Sequence, residues 1–194
     1  MKQLKLIATV AMTALVALAV VGVASASATT LEVGGVTKNE AVTIVGSLNG
    51  TSIVLSRTDG SLANTCSTFA IEGTAVSPFT GTKVSGLGKT LAFGNCAEPV
   101  TAHKTGTLIG EHISGTTNAT MHSSEAEVTV KTPFGNTVNC RTNEGTDIGL
   151  LTGSATGHAT LHINAVVNCG FLLPSATMKA NVTVTSPTGV GASA

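Results

Sequence analysis

The stretch Ala155-Thr-Gly-His-Ala-Thr-Leu-His-Ile-Asn-Ala-Val-Val-Asn-Cys169 alternates with a period of two. Its odd positions, Ala155, Gly157, Ala159, Leu161, Ile163, Ala165, Val167 and Cys169, are apolar or small; its even positions through Asn164 are Thr, His, Thr, His and Asn. Successive side chains of a strand point to opposite faces, so this is a half-buried strand whose apolar face ends in a cysteine. The same pattern sets Met178, Ala180, Val182 and Val184 inward against Thr177, Lys179, Asn181, Thr183 and Thr185. It also sets Ala126, Val128 and Val130 against Glu125, Glu127, Thr129 and Lys131. Strands with one wet face belong to antiparallel sheets. Shorter candidates lie at 42–48, 52–57, 89–93 and 106–112, separated by Asn49-Gly50, Asp59-Gly60 and Gly or Pro clusters. Asn49-Gly50 between two apolar runs predicts a hairpin. With no amphipathic helix pattern, the expected fold is an all-β antiparallel sandwich or jelly roll.

The strand's terminal cysteine leads to a repeat. Glu144-Gly-Thr-Asp-Ile-Gly-Leu-Leu-Thr-Gly153 echoes Glu72-Gly-Thr-Ala-Val-Ser-Pro-Phe-Thr-Gly81, and each copy lies between two cysteines. A diverged internal repeat of disulfide-closed β segments follows, and it selects Cys66 with Cys96 and Cys140 with Cys169. No cysteine has another within 28 positions, so the closely spaced ligands of a zinc knuckle are missing and no metal is expected.

Residues 1–28 read as an export signal: Lys2 and Lys5, an apolar run from Leu6 to Val23, then Ala24-Ser-Ala26 and Ala26-Ser-Ala28 as cleavage sites. Export fits disulfide formation and predicts a secreted or cell-surface chain with no stable membrane insertion after cleavage. Residues 29–194 then form one domain, because each half is too small to stand alone and no linker divides them. Within it Ser186–Ala194, with Pro187, Gly189 and Gly191, reads as a flexible C-terminal tail. Thr29-Thr-Leu-Glu-Val33 reads as a short strand that pairs at home or on the edge of a second copy.

Composition excludes more than it selects. Charged residues are 10% of the chain, and about thirty threonines carry most of its polarity, which favours strands. No basic patch exists for nucleic acid. Trp and Tyr are absent, which removes the aromatic platforms of most sugar sites. Gly86-Leu-Gly-Lys-Thr90 ends like a phosphate loop, but the first glycine of that motif is replaced by Lys83. No G-x-S-x-G elbow or H-E-x-x-H motif occurs. Glu72 and Glu144 hold matching repeat positions, and their plainer reading is turn chemistry rather than a carboxylate pair. His158, Thr160, His162 and Asn164 share one strand face and form the candidate polar binding face, whereas no catalytic or cofactor-binding residue is assigned.

The blocks Glu144–Thr160, Asn168–Ala176 and Val184–Gly189 resemble those of small exported proteins that occur as paralogues in actinobacteria. The resemblance spans roughly residues 59–190; it implies export and carries over no activity and no site residue. In its export signal, Thr/Gly-rich strands and Cys-anchored β segments the chain is also similar to the PraB family of secreted, biofilm-associated proteins, which lacks these C-terminal blocks. That similarity implies a matrix role. The expectation is a non-enzymatic secreted or cell-surface structural or adhesive protein, with itself or other matrix components as partners and no cofactor. The alternative is a secreted binding module for a small ligand or glycan; a secreted hydrolase with a dispersed site is the third reading.

Overall fold

The computed structural model describes residues 28–80, 83–132, 135–171 and 173–194. Apart from Ala28, the segment 1–28 read above as an export signal lies outside them. In chain order the elements are β1 (Thr30–Val33), β2 (Val36–Lys38), β3 (Val42–Leu48), β4 (Ile53–Arg57), β5 (Leu62–Thr80), β6 (Lys83–Cys96), β7 (Val100–Lys104) and β8 (Thr107–His112). There follow β9 (Ala119–Ser124), β10 (Glu127–Lys131), β11 (Thr137–Arg141), β12 (Thr146–Thr152), β13 (Thr160–Val167), β14 (Ala176–Ser186) and β15 (Val190–Ser193). The all-β antiparallel class holds. Leu161, Ile163, Ala165 and Val167 of β13, and Ala180, Val182 and Val184 of β14, are buried, as their alternation requires.

The sandwich or jelly roll does not hold. Strands β3, β5, β6, β8, β9, β12, β13 and β14 follow one another around a wall in that order, and β14 pairs back onto β3 to close an eight-stranded barrel. Period-two burial is common to both architectures, since each strand hides one face; what separates them is whether the first and last strands meet. Here Leu48 pairs with Val182 and Ser47 with Thr183, so the barrel wall has no free edge.

A second correction concerns Asn49-Gly50. Strands β3 and β4 do not pair with each other: both run antiparallel to β5 on one side and β14 on the other, occupying the same gap in sequence. The dipeptide is therefore a break within one long strand position, with Asn49 N–H still bonded to Asn181 O at 2.7 Å and Gly50 at a φ of 125°. The 19 residues of β5 run past both pieces and keep them in line. The reversal comes instead at Asp59-Gly60, where Asp59 Oδ1 accepts bonds from the Ser61 N–H and hydroxyl. These bonds hold the Asp59 carboxyl below its usual range.

Both disulfides are those selected by the repeat, Cys66–Cys96 and Cys140–Cys169. The first joins residues directly paired between β5 and β6. The second lies beside the Arg141–Asn168 bridge, whose bonds measure 2.8 and 3.1 Å. Each thus closes the base of a barrel hairpin, β5–β6 or β12–β13, and the repeated decamers supply the outgoing arms. Counted around the wall, the two hairpins are four strands apart and so face each other across the barrel. The copies differ in detail: Glu72 lies within β5, and Glu144 lies in the turn before β12.

Two small sheets lie at the barrel ends. At the disulfide end, β10 pairs with β11 and β7, and its Val130 joins Val138, Cys140, Leu161, Ile163 and Val182 in the main core. At the other end β1 lies between β15 and β2, and Leu31 and Val190 pack with Val84, Ala159 and Val184. The expected flexible tail is thereby corrected, because Val190 and Ala192 are buried and β15 pairs along β1. The strand at 29–33 likewise pairs at home, with β15 on one side and β2 on the other. Gly34-Gly35, with φ of 64° and 72°, makes the tight turn from β1 to β2.

Candidate functional site

Eight strands enclose an interior just wide enough to be filled by side chains or to hold one small molecule. This interior is not filled. A cavity of about 240 Å³ runs between the two end sheets, from Leu31 and Val190 to Val128 and Val130, with Ile71, Phe93, Leu108, Met121 and Leu151 on its wall. Phe69 and Phe93, paired across β5 and β6, stand with ring centroids 5.0 Å apart on that wall.

The opening in the core traces to glycine. Gly73, Gly86 and Gly110 line the cavity, each two residues after an apolar lining residue: Ile71, Val84 and Leu108. The alternation that turns those side chains inward leaves space at Gly86 and Gly110, whereas at Gly73 the β6 backbone fills it, with Leu87 O 2.9 Å from an added Cβ. A Cβ at Gly86 would meet no atom closer than 3.6 Å, and one at Gly110 would touch the Met121 sulfur at 3.4 Å. On β3 the situation is opposite, since a Cβ at Gly46 would lie 2.9 Å from Val182 and 3.2 Å from Ile71. The free volume therefore lies on the β6–β8 side.

Polar lining side chains include a hydroxyl pair toward the disulfide end. Ala119, Met121 and Ser123 point inward from β9, and Thr142 follows Val138 and Cys140 on the buried side of β11. Ser123 Oγ and Thr142 Oγ1 are 3.2 Å apart, and the latter accepts a 3.0 Å bond from Ala126 N–H. Only 4% of Ser123 and 8% of Thr142 is exposed. Asn64, also buried and lining, makes three bonds: one amide hydrogen goes to Glu98 O, and its Oδ1 accepts from Thr65 and Glu98 N–H.

The face proposed from sequence is elsewhere. Thr160, His162 and Asn164 lie on the outer side of β13, opposite Thr183, Asn181 and Lys179 of β14. His162 Nδ1 is 2.8 Å from Asn181 Oδ1, and His158, just before the strand, holds Nδ1 2.8 Å from Val184 O. They form a polar stripe on a convex wall rather than a concavity. Glu72 faces Lys89 at 4.0 Å on β6, and Glu144 is exposed in its turn on the far side of the barrel, so no carboxylate pair forms. Glu111 hydrogen-bonds Lys83 at the barrel surface, and that bond lowers its carboxyl below the usual range. Among the described residues no three His, Cys, Asp or Glu side chains gather as a metal site would need.

Sequence reasoning missed both the inward glycines and the Ser123–Thr142 pair. The first left a partial signal, an apolar residue followed two places later by glycine in Val84-Ser-Gly86 and Leu108-Ile-Gly110, but Ile44-Val-Gly46 and Ile71-Glu-Gly73 share the pattern where no space is left. The second left none, because the two hydroxyls are 19 residues apart and meet only through the β10–β11 excursion. No family model, curated protein or solved structure matches this chain.

Proposed function

We propose that this chain is an exported, non-enzymatic binding barrel that takes one small, mainly apolar molecule into its interior. The apolar cavity carries the reading. An engineered apolar cavity of about 150 Å³ stays dry and holds benzene, so this one has room for about ten carbon atoms. An apolar cavity gains little from water, and filling it recovers the dispersion contacts its walls lack. Along β13 and β14 the outer positions are polar apart from Val166 and the inner ones apolar, the reverse of a lipid-facing strand, which suits a binding protein working in water. The two disulfides are those of an oxidising compartment and support export.

A series of hydrocarbons of increasing size tests this reading by thermal unfolding. At a hundredfold excess over its Kd, naphthalene is expected to raise Tm by about 5 to 10 °C, by preferential binding to the folded state. Benzene should act more weakly, and pyrene should leave Tm unchanged because it exceeds the space. No shift with any member would remove the reading. A matrix or adhesive role is the second reading, favoured by β2 and β7, which are outer strands of the end sheets and present backbone groups to a neighbouring strand.

A further inference from the structure

We infer that the molecule held in the cavity carries a neutral hydrogen-bond acceptor at one end, a carbonyl or hydroxyl oxygen, and that the Ser123–Thr142 hydroxyl pair receives it. This rests on the cavity reading above and adds the ligand's chemical class and orientation. Two hydroxyls bring two O–H donors, and their mutual contact at 3.2 Å uses one of them, whichever way it points. Ala126 N–H supplies a further hydrogen to Thr142 Oγ1 and takes none. Among the described residues neither hydroxyl has another acceptor, so one O–H is left over on a pair that is more than nine-tenths buried. A buried donor without a partner is costly, and both side chains line the cavity, so a ligand oxygen at this end removes the penalty.

The rest of the lining decides the class. Leu108, Met121, Val128 and Leu151 require a hydrocarbon body. An ionised head would need a buried countercharge, and the adjacent cation, Arg141, is solvent-exposed. A neutral ketone, aldehyde, ester or alcohol with a chain of about nine carbons meets both conditions within the available volume.

The probes are 2-nonanone labelled with ¹³C at the carbonyl, and nonane. In the wild-type complex the ketone band is expected below its position in alkane solvent and narrower than in water, the signature of one fixed hydrogen bond. Ser123→Ala and Thr142→Val each leave one spare hydroxyl hydrogen, so each single variant should retain a shifted band. The double variant should return the band to its alkane position and weaken ketone binding by about 3- to 10-fold, the worth of one such bond, with nonane binding unchanged. If the double variant does not fold, the wild-type band decides alone. A bound ketone with its band at the alkane position overturns this inference and leaves the cavity reading standing, whereas failure of both probes to bind overturns the two together.

Discussion

Replacing Cys140 and Cys169 together by alanine is expected to lower the unfolding free energy by about 3 to 4 kcal/mol and Tm by about 10 °C. The bridge closes a loop spanning 29 residues, and its removal returns that loop's conformational freedom to the unfolded chain. Its position adds a second consequence. Cys140 belongs to the end sheet and Cys169 follows the barrel strand β13, so the bond anchors the end sheet to the wall beside a two-bond contact, Arg141–Asn168. The Cys66–Cys96 bridge closes a loop of similar length, with a separation of 30, but joins strands already paired along most of their length. Loss of either should move the urea midpoint by a similar amount, and loss of Cys140–Cys169 should weaken naphthalene binding more. An unchanged midpoint in either double variant would contradict the stability argument.

The second large effect is on binding. Gly86→Leu should weaken naphthalene binding by at least about 100-fold while leaving the protein as stable as before or about 1 kcal/mol more stable. Most glycine-to-leucine changes inside a core overpack it and cost stability. Gly86 differs because the nearest atom to an added Cβ is 3.6 Å away, and because the side chain would enter the cavity that the ligand needs. Gly46→Leu is the contrasting control: its Cβ alone would collide with Val182, so it should destabilise instead. Equilibrium titration and urea unfolding of both variants separate the cases. Full naphthalene affinity in a stably folded Gly86→Leu protein would place binding somewhere other than the interior.

Much of the secondary structure was legible because period-two alternation is a local property. The inward residues of β13 and β14 follow from spacing alone, and the two cysteine pairs from their shared place around the repeated decamer. Barrel closure does not, because it depends on whether β14 meets β3 across 134 to 141 residues of chain, and the burial pattern of each strand is the same either way. Asn49-Gly50 misled for a related reason. Its turn propensity is real, but β5 and β14 extend beyond it on both sides and hold the chain straight, so tertiary pairing overrides the local preference. The C-terminal glycines read as a frayed tail, whereas Gly191 packs within 3.3 Å of Thr117 once a Cβ is imagined there, a close approach that small residues permit. His158 and His162 are legible in the sequence as a polar stripe, and they lie outside the barrel interior. The candidate site is instead defined by side chains that are missing.

The most direct test of an interior binding site is isotope-filtered nuclear Overhauser spectroscopy of the naphthalene complex. Contacts are predicted between the bound aromatic protons and the methyl groups of Ile71, Leu108, Met121 and Leu151, all on the cavity wall. Contacts confined to the outer face, at Val166, Thr177 or the ring of His162, would contradict the account.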